Sequence, residues 1–407
     1  MKLKKPTPNF ILFATLLVVL VAFIFIKVIA TNVDKKMNAI SGGSIQISDH
    51  ARKLHQSLLI IDLHADSLLW DRDLLNRNTR GHVDVPRLKD GNVAVQAFTI
   101  VSSVPKRSGQ MKDIDQIGVL SLIERWPPQT WFSLKERVIY QTKKLEQVAE
   151  RSHGEFTLIK TAEDLEDYLH RRSKVCSLTA GFLGVEGAHC LEGDINNIDV
   201  FFDHGIRMMS PSHFFDNNIG GSSHGEKRTG LTDLGKEMIR RMQAKSIIVD
   251  LAHASSATIK DTLAISTRPV VVSHTGVKGT HMSERNLSDE EIIAIAKTGG
   301  VIGIGYWAEA IGGKNPADIA RAMRYTANLV GVEHVALGSD FDGACTAPFD
   351  AAHLISVTQA LINENFSDQE IRLMMGKNTL RVLQTGLPSG MNTSNISNTS
   401  KSVESAN

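Results

Sequence analysis

Short apolar runs recur along the chain between residues 58 and 338, separated by segments with helical periodicity. Eight are predicted as strands: Leu58–Leu63, Val93–Ile100, Gly181–Val185, Ile206–Ser210, Ser246–Leu251, Val270–Ser273, Val301–Gly305 and Val335–Gly338. Many are almost continuously apolar rather than alternating, as parallel strands covered on both faces must be. Helix signals fall between them. Ser288 with Glu291, and Ser367 with Glu370, have capping-box spacing, and Gly299 is placed to end the first of these helices before the next strand. Strands alternating with helices and summing to eight predict an α/β fold, a (β/α)8 TIM barrel, over residues 50–387. The span from Val101 to Ala180 is read as an insertion carrying extra helices.

The amino terminus follows a different pattern. Lys2, Lys4 and Lys5 precede an uncharged run from Phe10 to Ile26, long enough to cross a bilayer as a helix. Residues 1–30 are therefore expected to be a cytoplasmic stub and a transmembrane signal anchor. The catalytic domain is placed outside, although Lys27, Lys35 and Lys36 partly balance the first lysines. Cleavage near Val28-Ile29-Ala30 is the alternative. Residues 31–49, with a Ser/Gly stretch at 41–44, are read as a linker, and residues 388–407 as a polar, solvated tail. The sequons at Asn392, Asn395 and Asn398 matter only on a eukaryotic secretory route.

Composition narrows the function. The 407 residues are 42% hydrophobic and 22% charged, and 45 basic residues balance 44 acidic ones for a net charge of +1. Nucleic acid is thus not an expected partner. Cys176, Cys190 and Cys345 are too few and scattered for a disulfide framework or a thiolate metal site.

Candidate chemistry lies at the strand ends. The first ends in IDLHADS, where His64 and Asp66, two apart, project to the same side. LGVEG places Glu186, VDLAH places His253, VVVSH places His274 and ALGSDFDG places Asp340, each where an apolar run stops. A single polar strand end is ordinarily a turn former or helix cap; five strands ending in His, Asp or Glu at one barrel mouth call for another explanation. Imidazoles and carboxylates without thiolates suit catalytic zinc, and the ligand number suits two ions. His64 with Asp66 can hold one and His253 with His274 the other, with Glu186 bridging.

The ordered set IDLHADS, GVEGAH, SPSHFFDNNIGGSSHG, DLAH, VVSH, RNLSD and GSDFDG resembles the membrane dipeptidase (renal dipeptidase) family of zinc peptidases from about Leu58 to Leu383. The resemblance implies a binuclear Zn2+ barrel that splits dipeptides, including some with a carboxyl-terminal D-residue, and that sometimes opens β-lactam-like dehydropeptides. It implies that His213 contacts the substrate carbonyl, Arg285 receives the substrate carboxylate and Asp340 is the catalytic acid/base. Ala65 and Ser212 depart from residues common at those positions, and neither removes a ligand. The expected partners are a dipeptide and the membrane, with a homodimer left open. The alternatives are another metal-dependent amidohydrolase or β-lactamase-like hydrolase on the same barrel, and a non-catalytic binding protein. Asp62 and Asp342 are read as orienting residues, His189 as a neighbour of the metal ligands, and Tyr306 as a residue that could reach substrate. His204, His224 and His281 receive no role.

Overall fold

The computed structural model describes residues 7–42, 45–110 and 112–390. Among them are nine strands: β1 (Ile60–Ala65), β2 (Val93–Val101), β3 (Phe156–Leu158), β4 (Thr179–Glu186), β5 (Ile206–Met209), β6 (Ile248–Val249), β7 (Val271–Thr275), β8 (Val301–Ile304) and β9 (Val335–Leu337). They form one parallel sheet in the order β6-β5-β4-β2-β1-β9-β8-β7, with β3 added to the start of β4. The two ends of that order meet. Asp250 bridges to Val271, Leu251 N donates to Val271 O at 2.8 Å, and the Asp250 carboxylate accepts from Ser273 N at 2.8 Å. This parallel α/β arrangement is consistent with a TIM-type barrel. Ile61, Ala97, Phe182, Met208, Ile248, Val271, Val301 and Ala336, one from each of eight strands, share a single buried cluster, as the filled interior of such a barrel requires.

The helices begin where local chemistry dictates. Ser288 and Glu291 form a reciprocal capping box on Asp289–Ala296, and Gly299 beyond it takes a φ of +80°. Ser367 and Glu370 do the same on Asp368–Arg372. The insertion carries Gln116–Ile123, Leu134–Arg151, β3 and Ala162–Lys174. Missing from the sequence reading, β3 is only three residues long, and it pairs with Thr179–Gly181 below the point where β5 joins β4.

The first helix, α1 (Pro8–Met37), ends against the barrel. Among the described residues no helix is long and apolar enough to cross a membrane. The side chains at 11, 12, 16 and 18–24, which carry most of the run behind the anchor expectation, lie outside the described residues. So do Lys2, Lys4, Lys5, tail residues 391–407 and the three sequons.

Candidate active site

Every sequence-selected site residue arrives at the carboxyl ends of the strands. His64 stands on β1 with Asp66 just beyond it, Glu186 ends β4, and His213 follows β5. His253 follows β6, His274 is on β7, Arg285 is in the loop after β7, and Asp340 follows β9. All are buried except Asp340, whose side chain is 14% exposed.

Glu186 is the hub. Its Oε1 lies 2.9 Å from His253 Nε2, 3.2 Å from His274 Nε2 and 3.7 Å from His64 Nε2, while its Oε2 lies 3.0 Å from His213 Nε2. His64 Nε2 is 3.5 Å from Asp66 Oδ1 and 3.9 Å from Asp340 Oδ1. Three sets of donor atoms close enough to share an ion result: His64, Asp66 and Glu186; Glu186, His213 and His253; His64, His274 and Asp340. His213 thus stands among the donors themselves. Its approach needs a bare backbone at Gly187 (φ +87°), where a Cβ would sit 2.9 Å from that of His213.

These atoms fit a metal and little else. His64 Nε2 and Glu186 Oε1 are buried without a hydrogen-bond partner, and His253 and His274 turn their Nε2 atoms toward each other at 2.9 Å. Burial pushes the Glu186 carboxyl well above its usual range and the imidazoles of His213, His253 and His274 well below theirs. Burial also opposes charge on His64, but Glu186, Asp66 and Asp340 around it outweigh this and raise it to about 10. Three neutral imidazoles, and a fourth held charged by the carboxylates around it, are a donor set in which a divalent cation can replace the proton on His64.

A second ring of residues aims the donors. Ser273 Oγ lies 3.0 Å from Nδ1 of both His64 and His274. It can accept from both N–H groups, which leaves both Nε2 lone pairs facing the cavity. Thr99 Oγ1 donates to Asp66. Asp62 accepts from His64 N, Gln96 Nε2 and both the amide and hydroxyl of Ser339, so it fastens β1 to the strand that delivers Asp340. Asp216 accepts from Ser222 N and Lys227 N and folds back the loop after His213.

Other expectations end elsewhere. His189 bonds Ser102 and packs on Phe215 rather than supporting a ligand. Tyr306 is fully buried, edge-on to Phe341. His224, given no role in the sequence, lies 5.4 Å from the His253 ring, and burial lowers it to about 4. Serine and threonine inside apolar strands carry no signal of their own, which is why Ser273 and Thr99 were missed.

Arg285 closes one side. Its Nη2 donates to His274 O at 2.7 Å and Nη1 to Thr275 Oγ1 at 3.3 Å, while buried Nε has no partner. It lines a cleft of about 610 Å³ with Ser223, Arg228, Lys278 and Glu284. Burial lowers the guanidinium to about 10, which leaves it charged at neutral pH.

The sequence model of the membrane dipeptidase family, peptidase family M19, matches residues 48–393. This chain belongs to that family. It is a metallo-dipeptidase. An uncharacterized dipeptidase of Schizosaccharomyces pombe is 27% identical over 357 residues, covering 82% of this chain and 83% of its own. The dipeptidase aclJ of Aspergillus oryzae is 24% identical, covering 82% and 80%. Among solved structures, a metallo peptidase from Rhodobacter sphaeroides, liganded with a phosphinate mimic of the dipeptide L-Ala-D-Ala, superposes with a TM-score of 0.68 at 21% identity, over 81% of this chain and 99% of that one. The probable dipeptidase PvdM from Pseudomonas aeruginosa gives 0.67 at 20%, over 82% and 97%.

Proposed function

We propose that this metallo-dipeptidase is a binuclear zinc enzyme on a closed (β/α)8 barrel, anchored to a membrane by its amino-terminal helix, with the catalytic domain on the outer side. The observation that carries the reading is the convergence of His64, His253 and His274 from three strands on one oxygen of the buried Glu186 carboxylate, with Asp66 beside His64. Glu186 would bridge two ions, with His64 and Asp66 on one and His253 and His274 on the other. Bound there, zinc would supply Lewis acidity that acidifies water and polarises a carbonyl.

The protein's own groups do the rest. Asp340 is raised to about 7, first by burial, so it can both accept and return a proton near neutral pH. In this role it takes a proton from the attacking water and delivers it to the departing amine. Neutral His213, beside Glu186, donates a hydrogen bond to the oxyanion formed from the scissile carbonyl. Arg285 Nε, unpartnered and beside the cleft, holds the terminal carboxylate of the substrate. A longer peptide would put a neutral amide there and leave the guanidinium poorly paired, so dipeptides are favoured.

The anchor rests on the uncharged run Phe10–Ile26 behind a lysine-rich start. The relative liganded with an L-Ala-D-Ala mimic makes a carboxyl-terminal D-residue a reasonable substrate feature. A panel of L-Ala-L-Ala, L-Ala-D-Ala, L-Ala-D-Ala amide, N-acyl amino acids and β-lactams tests the reading. Turnover of both dipeptides, with the amide much slower, is expected. Turnover confined to the acyl amino acids or lactams would overturn it.

A further inference from the structure

Asp340 stands on a backbone that does not hold itself. Asp340, Asp342 and Ala344 have φ values of 59°, 64° and 57°, three left-handed non-glycine residues at alternate positions. Such a run persists only when its surroundings dictate it. Gly343 is required inside it, because a Cβ there would collide with the Asp340 carboxylate. Part of the support is local: buried Asp342 accepts from Ser67 Oγ at 2.6 Å and His82 N at 2.7 Å.

The remaining support comes from outside the barrel. At the end of α1, buried Asp34 pairs with Arg80 Nε at 2.6 Å and Arg72 Nε at 3.3 Å, and Arg72 Nη2 pairs with Asp342 at 2.9 Å. Asp34 also accepts from Asn38 Nδ2 at 2.8 Å, and Asn38 Oδ1 accepts from Ala344 N at 3.0 Å. The next residues run beside the loop like a short parallel strand. Ala347 N donates to Ala39 O at 3.1 Å, and Ser41 N donates to Ala347 O at 2.9 Å. His82 ties both layers, accepting from Asp342 N through Nδ1 and facing Ala39 O through Nε2 at 3.2 Å. The bracing residues themselves, Asp34 to Ser41, lie before residue 48, where the match to the family begins.

We propose that Asp34–Ser41 is a brace added to the family fold, and that Asp34 and Asn38 are positioning residues that keep the Asp340 carboxylate aimed at the metal-ligand cluster. This rests on the role of Asp340 given above. The brace touches the loop that carries the acid/base and none of the residues that bind substrate, so its loss should act on turnover and spare binding.

The test uses the full chain. In Asn38→Ala, kcat should fall roughly 10–100-fold, with KM within about two-fold and bound metal unchanged. Asn38→Asp, which keeps an acceptor for Ala344 N and leaves the Asp34 carboxylate on Arg72 and Arg80, should restore part of the lost kcat. Hydrogen exchange at the Ala344 and Ala347 amides should quicken in Asn38→Ala and slow again in Asn38→Asp. Unchanged kcat per folded molecule in Asn38→Ala, or unchanged exchange at both amides, would overturn the brace. If the parent protein turned over no dipeptide, the reading of Asp340 would fail, and amide exchange alone would decide whether the brace exists.

Discussion

His64 and His274 lie within strands, each with its Nδ1 fixed by the same Ser273 hydroxyl, whereas Asp340, 3.9 Å from His64, sits on a left-handed loop fastened from outside the barrel. The ligands are pre-set by the parallel sheet, whose backbone bonds are part of the core. Asp340, the proposed proton-transfer group, is pre-set by polar contacts collected from distant parts of the chain. Rigid donors suit a site that must keep its ions; a loop that needs bracing can be altered without dismantling the metal centre. His253, with a φ of +62°, is intermediate, since a strained turn delivers it from the short strand β6.

The largest expected effect removes the hub. Glu186→Gln should abolish dipeptide turnover, by more than about 10⁴-fold, and should release metal, because two ligand sets lose their shared carboxylate. Steady-state kinetics and metal analysis on one preparation check both. Asp340→Asn should cost roughly 10²–10⁴-fold in kcat while the metal stays. Loss of metal from Asp340→Asn would erase the distinction between the two regions.

Ser273→Ala sharpens the contrast from the other side. It should weaken metal affinity roughly 10–100-fold, read by chelator competition, because two imidazoles lose their orienting bond together. Arg285→Met should lower kcat/KM by about 30-fold for dipeptides and much less for dipeptide amides, the loss of a charge-assisted contact to the carboxylate.

A separate effect, on stability rather than on turnover, concerns the body of the fold. His55 is buried between Thr358 Oγ1 at 2.8 Å and Gly91 O at 3.1 Å, and burial lowers it from 6.5 to about 4. An imidazole charged more readily unfolded than folded favours the native state fully above pH 6.5. That contribution is lost as the pH falls toward 4, by up to about 3 kcal/mol. Denaturant titrations across this range should show a shallower pH dependence in His55→Gln.

Much of this was legible in the sequence, for a physical reason. Strands covered on both faces read as apolar runs, and the residue that ends such a run in a barrel is a mouth residue; His64, Glu186, His274 and Asp340 were found that way. His213 and Arg285 sit in loops without periodicity and came only from the resemblance. The brace could not be read, because Asn38 and Ala344 are 306 positions apart and ordinary in composition. β3 was missed because three residues are too few to show a period.

The most direct measurement is metal stoichiometry by elemental mass spectrometry on protein purified without chelator. The account requires about two zinc ions per chain in the parent and fewer than one in Glu186→Gln. A parent holding a single ion, or a Glu186→Gln variant still holding two, would contradict it.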